Sequence, residues 1–206
     1  MIKRIEEHNF DLEKKIILCG KGETAPFAKS AVDNNSYVAC LNTSAKLFSK
    51  VNFLFFNDVE TVHKIENTEE KFEKIENIII PIQLHSKEVI SNITFEDICK
   101  NLDSYNLGIY TYRLHTQKIK NPQNEVDCFK FGPEPIYSTY HSALFWLTTC
   151  GFRKFEIYGV SKTGKYDSLF KKNNDTGNQR NSTWYDINYR IGLSILNRNN
   201  CEYEIK

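Results

Sequence analysis

The sequence predicts an α/β fold, a single Rossmann-like domain with a mainly parallel sheet and helices on both faces. Short apolar runs alternate with helical segments, without internal repeats, which is typical of such sheets. The first run, Lys15–Cys19, has no polar side, as expected for a strand covered on both faces. With 206 residues, 40% hydrophobic and 26% charged, the chain can bury a core. We therefore predict one domain over residues 1–206.

The elements follow from apolar runs and from the residues that start or end them. The predicted strands are Lys15–Cys19, Tyr37–Leu41, Val51–Phe56, Asn77–Ile82 (stopped by Pro81), Leu107–Tyr112, Phe155–Tyr158 and an edge strand at Cys201–Ile205. The predicted helices are Thr24–Asp33 (capped by Thr24), Asp58–Lys64, Thr94–Leu102, Ser138–Cys150 and Trp184–Leu196. The clearest helix is Ser138–Cys150, which Gly151 ends. Residues 1–14 form a polar lead-in.

Charge and cysteine content exclude several classes of protein. A net charge of +1 argues against a strongly basic nucleic-acid binder, although a local basic patch is compatible with it. The start MIKRIEEHNF is charged throughout, unlike a secretory signal, and no apolar run approaches the ~20 residues of a transmembrane segment. The six cysteines form no Cys-x-x-Cys pair, so we predict buried thiols, no metal site and a cytoplasmic location.

A glycine turn follows the first predicted strand in KKIILCGKGETAPFAK. Gly20-Lys21-Gly22 lies between a strand and a helix start, an arrangement that often holds phosphate. A dinucleotide site would have an acidic residue at the end of the second strand, where this chain has Asn42, and the spacing of a Walker A loop is absent. The turn alone therefore predicts a phosphate and names no nucleotide.

Polar residues follow four of the predicted strands. They are Gly20-Lys21-Gly22 with Glu23 after it, Asn42, Asn57-Asp58, and Gly159-Val160-Ser161. Ligands of parallel sheets bind outside the carboxyl ends of the strands. The amides of Asn42 and Asn57 suit a ribose or a base edge; the alternative is that each caps the helix after it.

Two further segments carry candidate residues. Ser138 and Thr139 start the clearest helix, where backbone N–H groups attract anions, and His141 in its first turn is a candidate base or a buried structural residue. The polar stretch 161–183 is long for a connection and predicts a lid, the alternative being a solvated loop. The basic residues of this stretch and Tyr166 would then meet phosphates, a base or a sugar.

The chain resembles the bacterial sialyltransferases of glycosyltransferase family 42. Three stretches carry the resemblance: KKIILCGKGETA with its Gly-x-Gly turn, VACLN and FLFFND ending in Asn, and STYHSALFWLTTCGFRKFEIYGVS. They cover roughly half of the chain. The resemblance implies a Rossmann-like fold with a lid and a cytidine monophosphate-linked sugar donor bound without an obligatory metal.

By position, the resemblance places Gly20, Lys21 and Gly22 against the phosphate. It places Asn42 and Asn57 at the nucleotide and sugar, Ser138 and Thr139 at the nucleotide, and the loop after Gly159, with Tyr166, in the lid. The chain departs from the family at Lys21, where the family has Asn, and at Glu23-Thr24, where it has Pro-Ser. The family's late catalytic His is missing from NQRNSTWYD. The extra charge of Lys21 suits a donor with two phosphates, such as a UDP-sugar.

The sequence therefore favours transfer of a sugar from a nucleotide-sugar to a hydroxyl acceptor, with no other cofactor. Asp58, His141 and Asp186 are the candidate bases. The acceptor is a saccharide or a hydroxylated base of modified DNA, for which the Lys-rich stretch after residue 161 would contact phosphates. The alternatives are a non-catalytic nucleotide-binding module and, more remotely, a glycohydrolase or phosphotransferase. The oligomeric state is left open.

Overall fold

In the described part of the computed structural model, eight strands form one sheet. The strands are β1 Ile2–Lys3, β2 Lys15–Cys19, β3 Ser36–Leu41, β4 Val51–Phe55, β5 Ile75–Pro81, β6 Gly108–Tyr112, β7 Lys154–Tyr158 and β8 Glu202–Ile205. Their order across the sheet is β1-β6-β5-β4-β3-β2-β7-β8, and each neighbouring pair is parallel. The structure describes residues 2–3, 9–56, 72–81, 100, 102, 105, 107–112, 138–160, 162, 165, 167–171 and 182–206.

Helical segments cover both faces of the sheet, as predicted. The α-helices are α1 Thr139–Cys150, α2 Ser168–Lys171 and α3 Ser182–Arg198, and the 3₁₀ segments are Ala25–Ala31, Asn42–Leu47 and Phe72–Lys74. One buried cluster joins the first two 3₁₀ segments and Phe170 of α2 to one face of the sheet. A second cluster joins α1 and α3 to the other face. The α/β fold and the parallel sheet are therefore confirmed.

Helix α1 begins and ends where the sequence predicts. The Ser138 hydroxyl accepts a hydrogen bond from the His141 amide at 3.3 Å, which caps the first turn. Gly151 ends the helix with a φ of 106°, a left-handed conformation that glycine adopts readily. Most side chains of α1 are buried, because the helix packs against both the sheet and α3.

The segment before β2 is more than a polar lead-in, which corrects the prediction for residues 1–14. Ile2–Lys3 pairs with β6 at one edge of the sheet. The Phe10 ring lies 5.0 Å from the Phe53 ring and 6.2 Å from the Trp146 ring, centroid to centroid. One aromatic side chain therefore attaches this polar segment to the core.

Two further element predictions need correction. Thr24–Asp33 is not a capped α-helix: a 3₁₀ segment spans Ala25–Ala31, and the Thr24 side chain makes no capping bond. The strand predicted at Asn77–Ile82 starts earlier and includes Pro81, which pairs with Tyr112. The helix predicted at Asp58–Lys64 and nearly all of the one at Thr94–Leu102 lie outside the described residues.

Within the ranges that the structure describes, no helix is long and apolar enough to cross a membrane.

Candidate functional site

The sheet topology brings the predicted site residues to one edge. Parallel strands end at the same edge, and here β2 is followed by Gly20, β3 by Asn42 and β7 by Gly159. The start of α1 at Ser138 and Thr139 lies at that edge as well, because the Thr139 hydroxyl contacts the Asn42 side chain. We call these residues, together with Lys21 and Gly22, the carboxyl-edge site.

The strand order also reverses between the neighbouring strands β2 and β7. From β2 the chain continues to β3 on one side, and from β7 it continues to β8 on the other side. The segment after β2 crosses one face of the sheet toward β3, whereas α3 after β7 covers the opposite face. Neighbouring strands whose connections leave to opposite faces mark the position where α/β proteins bind ligands. The carboxyl-edge site includes this position.

The glycine turn packs directly against the end of β7. The Gly20 amide donates to the Tyr158 carbonyl and the Gly22 amide to the Gly159 carbonyl, both at 2.8 Å. A Cβ atom on Gly22 would lie 2.9 Å from the Gly159 carbonyl carbon. The close approach of two backbones therefore explains both glycines. These two amides already donate within the protein, and Lys21 between them is the charged residue of the turn.

Asn42 links the end of β3 to the start of α1. Its φ of 54° is left-handed, a conformation that Asn tolerates better than most residues. Its side-chain amide lies 3.5 Å from the Thr139 hydroxyl, and Asn42 is the first residue of its 3₁₀ segment, with Leu41 in the capping position. An amide and a hydroxyl therefore lie together at the edge.

The Ser44 hydroxyl, which was not among the predicted site residues, connects the ends of β2 and β3. It donates to the Cys19 carbonyl at 2.7 Å and accepts from the Leu41 amide at 3.0 Å. The ends of β2 and β3 are thereby tied together under the glycine turn. The sequence signal for this contact is the position of Ser44, two residues after Asn42 at the end of the predicted strand.

His141 lies in the interior between α1 and α3. Its side chain is fully buried, and Nε2 lies 2.8 Å from the Asn188 carbonyl oxygen. Burial lowers the pKa of the imidazole to about 4, although the contact with the Asn188 carbonyl opposes this shift. His141 is thus buried between two helices, which matches the structural alternative for this residue.

The buried His141 predicts a loss of stability in mild acid. Its pKa falls from an ordinary 6.5 to about 4 on folding, so the unfolded chain binds the proton more readily. The stability from the neutral ring is complete above pH 6.5 and is lost as the pH falls toward 4. Between pH 7 and pH 5 we expect the free energy of unfolding to fall by about 2 kcal/mol more in the wild type than in His141→Gln. Urea titrations across this range measure it, and equal pH slopes would contradict it.

Asp186 lies near the start of α3 and is already engaged. One carboxylate oxygen lies 2.8 Å from the Arg190 guanidinium, one turn further along the helix. The side chain remains about one-third exposed. The Lys162 ammonium lies over the Tyr189 ring, 4.9 Å from its centroid, on the same helix. Of the two carboxylates predicted as bases, Asp186 and Asp58, the structure describes Asp186.

Part of the polar stretch predicted as a lid, residues 167–170, packs against the rest of the domain. The Asp167 amide donates to the Lys21 carbonyl at 2.9 Å, and the Phe170 ring is buried in the core. The Lys46 ammonium lies over that ring, 4.3 Å from its centroid. Residues 167–170 are thus held against the glycine turn and the segment after β3.

Five further predicted site residues remain, of which the structure describes one. Glu23 is exposed beside the turn. Asn57, Asp58, Ser161 and Tyr166 lie outside the described residues, so their predicted roles stay predictions.

Burial keeps two of the described thiols in the protonated form. Burial raises the pKa of Cys19 and of Cys150 to about 12, because the thiolate would lose its hydration. In the described part of the chain, no group of three or more His, Cys, Asp or Glu side chains could hold a metal ion.

The chain matches no known family model, no curated protein and no solved structure.

Proposed function

We propose that the chain binds a nucleotide-linked sugar at the carboxyl-edge site and transfers the sugar to a hydroxyl acceptor. The main support is the contact between Asn42 and Thr139, which joins the end of β3 to the start of α1. Amide and hydroxyl groups at this position suit a ribose or a base edge. The start of a helix of 12 residues and the charge of Lys21 suit the phosphate of the same ligand.

The proposed reaction places developing charge next to these groups. The acceptor loses its proton to a base while its oxygen forms a bond to the anomeric carbon of the sugar. The bond from that carbon to the phosphate oxygen breaks, and the nucleotide leaves with the electron pair. Lys21 and the first N–H groups of α1 would stabilise the leaving phosphate. Asp186, or Asp58 outside the described residues, would take the proton.

A nucleotide panel with two matched variants tests the binding step. CMP, UDP, GDP and ADP are titrated against the wild type, Asn42→Ala and Asn199→Ala. Asn199 is the control because its amide also makes one hydrogen bond, to the Ile195 carbonyl at 2.8 Å, at the other end of α3. We expect Asn42→Ala to weaken binding on the order of tenfold and Asn199→Ala to leave it unchanged. Equal affinity in all three proteins would remove Asn42 from the site, and no binding by the wild type would refute the proposal.

A nucleotide-binding module without transfer is the second candidate. It is favoured by the burial of His141 and by the ion pair that occupies Asp186. Slow hydrolysis of the matching nucleotide-sugar, lost in Asp186→Asn, would support transfer with Asp186 as the base. Binding without hydrolysis or transfer, with saccharide and with DNA containing hydroxylated bases both offered as acceptors, would favour the module.

A further inference from the structure

We propose that Thr24 is a positioning residue of the carboxyl-edge site. Its side chain holds the glycine turn against the ends of β7 and β8. This inference rests on the proposed function for its ligand. Thr24 was predicted to cap a helix, and the structure gives its hydroxyl a different task. The hydroxyl accepts from the Gly159 amide at 2.8 Å and donates to the Lys206 carbonyl at 3.0 Å. One hydroxyl therefore joins three separate backbone segments.

The Gly159 amide needs a partner because the strand leaves the sheet at this residue. Gly159 has a φ of 66°, so the chain turns sharply where β7 ends. On its other side Gly159 contacts the turn: a Cβ atom there would lie 2.8 Å from the Gly20 carbonyl carbon. Thr24 thus holds the residue against which Gly20 and Gly22 pack.

The hydroxyl acts as donor and acceptor together, which limits the side chains that can replace it. Serine has the same pair of functions, whereas valine has the same shape and neither function. The position of Lys21 depends on the two hydrogen bonds of Thr24, since Lys21 lies between the two glycines that pack on Gly159. Losing the hydroxyl is expected to move the Lys21 charge relative to a bound phosphate.

The test compares Thr24→Val, Thr24→Ser and the control Thr148→Val. Thr148→Val removes a hydroxyl that donates to the Phe145 carbonyl at 3.1 Å, at the far end of α1. The nucleotide selected by the panel is titrated under conditions in which every variant is folded. We expect Thr24→Val to lose affinity on the order of tenfold, Thr24→Ser to retain most of it, and Thr148→Val to match the wild type.

Hydrogen exchange of the Gly22 and Gly159 amides provides a readout that needs no ligand. We expect exchange at both to accelerate on the order of tenfold in Thr24→Val and not in Thr148→Val. Unchanged exchange, or faster exchange with unchanged nucleotide affinity, would overturn the positioning role. If the wild type binds no nucleotide, the proposed function fails, and exchange alone then decides whether Thr24 clamps the turn.

Discussion

Replacing Gly20 by alanine is expected to destabilise the protein by about 3 kcal/mol or more. A Cβ atom at this position would overlap the carbonyl oxygen of Gly159 and lie 3.0 Å from its carbonyl carbon. Both groups are backbone, so no side chain can rotate away to relieve the overlap. To relieve the overlap, β2 and β7 must separate at their carboxyl ends, where Cys19 pairs with Tyr158. Chemical denaturation of Gly20→Ala against the wild type measures the loss.

The matched control for this substitution is the neighbouring Lys21→Ala. It shortens a half-buried side chain and adds no atom near Gly159, so we expect a change within about 0.5 kcal/mol. Similar losses of stability for the two variants would show that the turn tolerates no substitution for a reason other than the contact with Gly159. Full stability of Gly20→Ala would mean that the turn does not pack on β7 as described.

Replacing Phe53 by alanine is expected to cost about 3–5 kcal/mol in the free energy of unfolding. Phe53 is fully buried in β4, and its ring lies 5.6 Å from that of Tyr37 and 5.8 Å from those of Trp146 and Phe152, centroid to centroid. The Phe10 ring contacts the same position, so the cavity would also loosen the segment before β2. Urea denaturation measures the loss.

Phe27→Ala is the control for the aromatic core. Its side chain is 65% exposed, so removal of the ring should change stability by no more than about 0.5 kcal/mol. A large effect of Phe27→Ala together with a small effect of Phe53→Ala would contradict the arrangement of the core.

The strands from β2 to β8 and helix α1 could be predicted because their signals are local. β2, β3 and β4 are short apolar runs buried on both faces, and their ends are marked by Gly20, Asn42 and Asn57 in the sequence. Ser138 and Gly151 mark the ends of α1 by their own conformational preferences. Such signals require no knowledge of which segments meet in space.

The remaining features depend on contacts between distant segments. Thr24 matches the pattern of a helix cap, and only the approach of Gly159 and Lys206 shows where its hydroxyl bonds. His141 at a helix start matches a catalytic residue until α3 covers it. Phe10 is one aromatic residue among charged ones, and its burial depends on Phe53 and Trp146.

The central claim is that a nucleotide binds at the carboxyl edge of the sheet. Backbone amide NMR shifts, recorded as the selected nucleotide is titrated, test it most directly. The account predicts the largest shifts at residues 20–24, 42–44 and 138–141, with little change at 199–201 beyond the end of α3. Saturable shifts confined to the opposite edge, or no shifts with any nucleotide of the panel, would contradict it.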